Sequence, residues 1–397
     1  MMNQKNDSIE SLATASLMTV ASELFSNHHI ITLPKGAKYT FQTIIMTLLH
    51  AATSVNNSLE SASNDLKLKS SLTKIPSADT IFNYINCNNV EYILSSFRAM
   101  DRDIFKSMNI KGKVHDIAID FHNIPFYGDE NTPLISGIKP KNGSAWGYSY
   151  CTLDIIGDVK LTLDVIAING FNKNYSDLIT FLFERLEKMQ IKVGTVYLDK
   201  EFCNDDTISA LTKLNVNFVI AAKRNPKIMG ILDNFKKENG PTSTVFKYNF
   251  NKKGTDFNLV ATHDEEKGYI LFATNKDVKS IEIFEKSIPE EYRKRWNIET
   301  GYRVKNNFKI RTCTKSPVAR TLFFVIQCTL YNILNMLKSV LEITAYELKS
   351  LINEDIIKVV RYGLKSLYII PFKLFLNYLN MYNKTRKRDL QNQLLKI

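Results

Sequence analysis

Three acidic residues stand at the ends of dissimilar segments and together outline a candidate site for phosphoryl chemistry. Asp120 closes an apolar strand-like run, V-H-D-I-A-I-D-F (Val114 to Phe121), and Asp199 closes another, V-G-T-V-Y-L-D (Val193 to Asp199). Glu299 lies in a basic, aromatic segment, E-Y-R-K-R-W-N-I-E-T-G-Y-R (Glu291 to Arg303). Desolvating an unpaired carboxylate is expensive, so a carboxylate at the end of a buried strand needs a partner. A divalent cation is one such partner. Oxygen ligands suit Mg2+, and two ions held by a few carboxylates are suited to in-line attack on a phosphodiester.

Other acids compete for these roles. Glu201, Asp205 and Asp206 follow Asp199, but Asp199 lies directly at the strand end, while Asp205 and Asp206 suit the first turn of the next helix. Glu290 and Glu291 sit at a helix start, where acids offset the dipole. Asp116 and Asp164 read as exposed strand positions. His122 has a packed or solvated role as its default, with a ligand or phosphate contact as the alternative. Trp146 has core packing as its default and base stacking as the alternative.

The elements that must position these residues follow from periodicity. The first hundred residues read as helical: Phe41 to Ala52, Leu59 to Leu66, and a helix over Ile75 to Ile85 with Ser77 as cap and Asp79 in the first turn. Short helices joined in this way resemble a helix-turn-helix, and a generic helical cap is the alternative. From Lys113 the pattern turns to strands: Val114 to Phe121, Ser144 to Ile156, Lys160 to Ile168, Val193 to Leu198 and Val216 to Ala222. Helices over Tyr175 to Met189 and Asp205 to Leu214 alternate with the later strands. This order predicts an α/β layer built on a mixed sheet.

Beyond Pro226, the segments Thr244 to Phe250, Phe257 to Thr262 and Tyr269 to Ala273 read as strands of a β-rich insertion. The expected division is a helical region over 1–110, a first core part over 111–225, the insertion over 226–286, a second core part over 287–345 and a helical C-terminal region over 346–397.

The 397 residues are 44% hydrophobic and 23% charged, ordinary values for a folded protein with a sizeable core. The formal net charge is +12, compatible with a polyanionic partner. Between Tyr292 and Arg320 nine Lys and Arg accompany a single acid, Glu299. The five cysteines are scattered without a C-x-x-C pair, which argues against a zinc ribbon or a disulfide framework. The opening residues lack the apolar core of a signal peptide, and Leu322 to Val340, with its Gln, Asn and Lys, reads as a buried core helix. A cytoplasmic, non-membrane protein is the expectation.

S-I-P-E (Ser287 to Glu290) has capping-box spacing with Pro just inside a helix start. On the helix it would open, Tyr292, Arg295, Glu299 and Tyr302 fall on one face. The carboxylate can complete a metal site, and the guanidinium fork suits phosphate oxygens. Gly301 inside this helix costs about 1 kcal/mol relative to Ala and marks a close approach or a kink.

These residues resemble the DDE transposases of bacterial and archaeal insertion sequences, in the branch with a Y-R-E-K signature. Tyr292, Arg295 and Glu299 match its spacing. The Lys position falls on Asn306, with Lys305 one residue early as a substitute. I-D-F-H-N-I-P-F-Y-G around Asp120 and L-D-K-E-F around Asp199 resemble the family's two Asp segments. The resemblance covers roughly residues 75 to 340.

It implies an RNase H-like core, a mixed sheet flanked by helices, with a β-insertion before the Glu helix. It implies two Mg2+ ions, or Mn2+, held by Asp120, Asp199 and Glu299. The reaction implied is cleavage at the element's ends followed by strand transfer into target DNA. Partners would be double-stranded DNA, as terminal inverted repeats and target, with at least a dimer once two ends are brought together. A prokaryotic, nucleoid-associated setting follows.

Tyr292 and Arg295 would contact the DNA backbone, and Tyr302, Arg303, Lys305, Lys309, Lys223 and Arg224 are further candidates for DNA contact. The basic stretch Lys384 to Arg388 is a solvated tail with phosphate contact as the alternative. The competing readings are a domesticated or inactive DNA-binding descendant and another RNase H-like nuclease, such as a junction resolvase.

Overall fold

Among the described residues, runs of β-branched and aromatic residues between Val114 and Thr274 build one nine-stranded sheet, and amphipathic runs on either side of that span build helices. The computed structural model describes residues 17–71, 74–168, 174–250, 254–277, 281–338, 343–367, 371, 373–375, 377 and 381, with backbone alone for 281–286.

The chain opens with helices α1 (Leu17–Asn27), α2 (Phe41–Thr53), α3 (Leu59–Lys69), α4 (Ala78–Asn86) and α5 (Val90–Met108). Then come β1 (Val114–Pro125), β2 (Ile135–Lys141), β3 (Ser144–Ile156), β4 (Leu161–Ile168), α6 (Tyr175–Lys188), β5 (Lys192–Leu198), α7 (Asp205–Lys213) and β6 (Asn217–Ala221). They are followed by α8 (Pro226–Asn239), β7 (Thr244–Tyr248), β8 (Phe257–Asp264), β9 (Gly268–Thr274), α9 (Ile281–Arg293), α10 (Trp296–Lys305), α11 (Pro317–Lys338) and α12 (Ala345–Tyr362). Two compact units result, one of residues 111–300 and one joining 1–110 to 301–397.

In the 111–300 unit the strand order is β2-β3-β1-β5-β6-β9-β8-β7, with β4 also paired to β3. β1 runs antiparallel to β3 and parallel to β5, and β5 runs parallel to β6. This is the mixed α/β sheet expected from the sequence. Side chains of Ile117, Ala118, Ile119, Val196, Tyr197, Leu198, Phe218, Val219 and Ile220 are buried, so the parallel centre reads as continuous apolar runs. Gly194 permits the close approach of β5 to β1, because a Cβ there would lie 2.8 Å from the Asp116 carboxylate.

Between β6 and the Glu299 helix, residues 226–286 open with helix α8 and carry β7, β8 and β9; β9 pairs with β6, so these strands prolong the same sheet. An unpaired edge on β6 would expose a row of backbone donors and acceptors, which β9 satisfies. Two expectations, about buried acids, are corrected here. Asp164 is fully buried and paired with Arg185 Nε at 2.9 Å, so the charge is carried inside by a partner instead of by solvent. Asp116 is half-buried, accepting from the Thr195 N–H at 3.1 Å and from Lys294 Nζ at 2.8 Å.

The second unit is helical. Helix α11 is buried along almost its whole length and packs against α5, while α12 packs against α1, α2 and α3. α11 is the described helix long and apolar enough to cross a membrane, and 89% of its most apolar stretch is buried inside the protein, as in a core helix. Ser77 caps α4 by accepting from the Thr80 N–H, as its sequence position predicts. His50 ties α2 to its neighbours, with Nε2 2.8 Å from Asp65 and Nδ1 3.0 Å from Asn353.

Candidate active site

β1 and β5 are parallel neighbours in register, Ile119 opposite Leu198. The next residue on each strand is an aspartate, Asp120 on β1 and Asp199 at the end of β5. Two carboxylates therefore occupy adjacent positions at one end of the sheet. Strand β1 continues past Asp120 to Pro125, so Asp120 does not close its strand as the apolar run suggests. β3 pairs with this extension, from Thr152 opposite Asp120 to Gly147 opposite Pro125.

Aromatic packing fixes the two aspartates. Phe121, next to Asp120, stacks on Phe202 of the short 3-10 turn after Asp199, with centroids 4.7 Å apart and planes within 6°. Tyr175 at the start of α6 meets both rings edge-on. Such contacts add to area burial and fix orientation.

Glu299 arrives from a different direction. α9 and α10 are not one helix: the chain turns at Lys294 and Arg295 through i to i−3 hydrogen bonds, Lys294 to Glu291 and Arg295 to Tyr292. Ser287 is not the N-cap, since α9 begins at Ile281 and carries Pro289 inside it. Tyr292, Arg295 and Glu299 still converge across this turn: the Arg295 guanidinium lies 5.5 Å from the Tyr292 ring centroid and pairs with Glu299. The Tyr292 hydroxyl donates to the Leu198 carbonyl at 3.1 Å, immediately before Asp199. Arg295 Nη2 donates to Glu299 Oε1 at 2.5 Å, and Nη1 lies 3.8 Å from Asp120 Oδ2.

The electrostatics follow from this arrangement. Burial pushes the Asp120 carboxyl up to about 7; Arg295 opposes that rise and Asp199 adds to it. Burial lowers the Arg295 value, but Tyr292, Asp120, Asp199 and Glu299 together raise it above its ordinary level. Burial raises the Tyr292 phenol. Asp154, on β3, also raises Asp120; it is buried and accepts from Thr162 Oγ1 at 2.6 Å. Sequence reading did not single out Asp154. Its signal was an acid two positions before the apolar end of a strand, which resembles a solvent-facing residue until β3 is paired.

Among the described residues no three His, Cys, Asp or Glu side chains are gathered into a ready-made metal cluster. The expected trio of ligands is instead linked by a guanidinium: Arg295 bridges Asp120 and Glu299. The donor set still fits a divalent cation, since adjacent, partly buried carboxylates are stabilised by added positive charge and offer the oxygen ligands that Mg2+ takes. The Arg295 Nε is buried and without a hydrogen-bond partner among the described residues, which leaves a donor for an incoming oxygen anion.

The further candidates separate. Arg303 is exposed and Lys309 half-buried in the helical unit. Tyr302 and Lys305 are corrected: Tyr302 is 8% exposed and Lys305 is 0% exposed, so neither presents a surface to a phosphate. The Lys305 ammonium lies 4.6 Å from the Tyr302 ring centroid and 5.0 Å from that of Tyr331, where aromatic faces compensate its lost hydration.

Lys223 is exposed and lies beside Cys203, whose thiol burial pushes up to about 11 against its influence. Arg224 donates through Nη2 to the carbonyls of Lys267 and Tyr269, both at 2.8 Å, and so ties the β8–β9 turn. Trp146 and His122 are half-buried. Lys384 to Arg388 lies outside the described residues.

No curated protein matches the chain by sequence. A cryo-EM structure of the piggyBac transposase synaptic complex with hairpin DNA is similar at a TM-score of 0.49 and 14% identity, covering 98% of this chain and 84% of that one. Residues 164–333 match the family described as Transposase DDE domain, a span that holds Asp199, Tyr292, Arg295 and Glu299, and the match supports a DNA transposase function for the chain.

Proposed function

We propose that this protein cuts DNA at the ends of its own mobile element and joins them to target DNA, using Asp120, Asp199 and Glu299 as the carboxylates of the active site. The observation that carries the reading is the register of β1 and β5, which sets Asp120 beside Asp199, with Arg295 linking Asp120 to Glu299. Two buried or half-buried aspartates on adjacent parallel strands form a costly arrangement that catalysis explains better than folding does.

The three carboxylates would hold divalent ions, Mg2+ with Mn2+ as substitute, which supply activation of the attacking hydroxyl and neutralisation of the leaving oxygen. Arg295 exchanges its carboxylate partners for a non-bridging phosphate oxygen, using the planar fork and the spare Nε–H. Tyr292 holds the end of β5 through the Leu198 carbonyl and so keeps Asp199 at the scissile phosphate. The partner is double-stranded DNA, and a dimer assembles where two element ends are joined. The setting is the prokaryotic cytoplasm at the nucleoid.

The test is cleavage of a labelled duplex bearing the element's terminal repeat, with Mg2+ or with EDTA, by wild type and Asp199→Ala. Metal-dependent nicking at the repeat boundary is expected from wild type. Outer-shell metal partners are worth about 10–100-fold, so loss of a ligand should cost more than about a hundredfold. Cleavage unchanged in Asp199→Ala would sink this assignment of the site.

A further inference from the structure

Within the helical unit, one face of α12 carries chemistry that the carboxylate site does not use. A groove of about 480 Å³ runs between this face and the end of α2. Its lining includes Lys349, Lys358 and Arg361 against one acid, Glu354, whose Oε1 accepts from Ser350 Oγ at 3.1 Å. Lys358 and Arg361 are exposed and make no ion pair among the described residues. Two tyrosines flank these cations, Tyr346 at 81% exposed and Tyr362 at 68% exposed, and Val55 stands 94% exposed on the opposite wall.

Single exposed aromatics are ordinary on a protein surface, but Tyr346, Tyr362 and Val55 gather on one groove, and exposed apolar groups gathered in this way mark an interaction surface. Cations without acidic partners, interleaved with exposed rings along one helix face, match a polyanion that also offers apolar surface. Duplex nucleic acid is that partner: its phosphates pair with Lys and Arg, and its backbone sugars pack against the rings. The spacing is helical, Tyr346, Lys349, Lys358 and Arg361 all facing the groove. We propose that this face of α12 is a second DNA-binding surface, which holds the backbone of duplex DNA independently of the carboxylate site. The identity of the polyanion as DNA rests on the function proposed above.

The experiment is fluorescence anisotropy of a labelled mixed-sequence duplex with the full chain over a series of salt concentrations. Wild type is compared with the double variant Lys358→Glu/Arg361→Glu and with Tyr346→Ser. Charge reversal is expected to weaken binding about tenfold or more and to flatten the salt dependence by about two phosphate contacts. Tyr346→Ser should weaken binding severalfold with the salt slope unchanged. Should the charge-reversed chain melt early, Lys358→Gln/Arg361→Gln carries the same comparison.

Affinity and slope equal to wild type in a folded double variant would overturn the proposal. If such a result accompanies metal-dependent cleavage by wild type, the active-site reading stands and the surface alone falls. If binding drops as expected but no metal supports cleavage, the surface stands and the catalytic reading falls. A wild-type chain that binds no duplex overturns both.

Discussion

Arg295 and Lys305 lie ten positions apart in the same basic stretch and are both buried, at 9% and 0% exposure, yet their surroundings are opposite. Arg295 faces carboxylates: Asp120, Glu299 and, at longer range, Asp199. Lys305 faces the rings of Tyr302 and Tyr331. A buried cation among carboxylates leaves a charged, exchangeable set when it moves, and Glu299 is already 53% exposed at its side chain. A buried cation among rings has a setting that serves packing. Charge sign in a sequence thus says little about role until the partner is known.

This contrast is most severely tested at Arg295. Arg295→Gln should reduce cleavage by about a hundredfold or more, the scale of losing one preorganised donor to a developing charge. It should also lower the melting temperature in EDTA, by about 2 kcal/mol of stability, with Mn2+ restoring most of the loss. If Arg295→Gln melts like wild type in EDTA, the carboxylates do not depend on it and the comparison fails.

Asp120 sharpens the same side through pH. Its carboxyl is raised from an unfolded value of 3.8 to about 7, so the folded state binds the proton more tightly. Stability from this group is therefore fully present below pH 4 and lost as pH rises through 7. The amount at stake is about 4 kcal/mol at most. In metal-free buffer Asp120→Asn should melt higher than wild type at pH 8 and nearly equal to it at pH 4. Melting curves in which the difference between the two proteins does not grow with pH would remove burial as the dominant influence on Asp120.

On the other side, Lys305→Met keeps the aliphatic stem and removes the charge. Replacing a buried charge by an apolar isostere is commonly neutral or stabilising, so a change within about 1 kcal/mol is expected. Duplex affinity and its salt slope should stay at wild-type values. A tenfold loss of affinity would mean that Lys305 reaches a phosphate after all, the role its sequence position suggests.

The smallest effect belongs to Gly301. A Cβ there would meet the Tyr331 hydroxyl at 3.2 Å, so the ring must yield by a few tenths of an ångström. The gain in helix propensity of about 1 kcal/mol on Gly301→Ala offsets that cost. Thermal melting should move by little in either direction; a large drop would show that Tyr331 cannot shift beside Lys305.

Much of this molecule was legible before folding. Alternating and continuous apolar runs locate β1, β3, β4, β5 and β6, because side-chain period reports which strand faces are buried. Ser77 declares the start of α4 by its capping chemistry. Asp120, Asp199, Tyr292, Arg295 and Glu299 could be named from strand ends and from i, i+3, i+4 spacing. Helix α8 carries a local signal too, since Asn225 and Pro226 form a cap followed by a first-turn proline, but the strand pattern after it masks the helix at the head of the β-rich segment.

What tertiary structure alone decided is who faces whom. Periodicity says that Asp164 and Lys305 lie in ordered elements, and only packing supplies Arg185 for one and two tyrosine rings for the other. The register of β1 against β5 sets Asp120 beside Asp199, and that register depends on backbone pairing between residues about eighty positions apart in the chain. Long-range pairing has no local signature, because the free energy that selects it comes from surfaces buried together after both segments have formed.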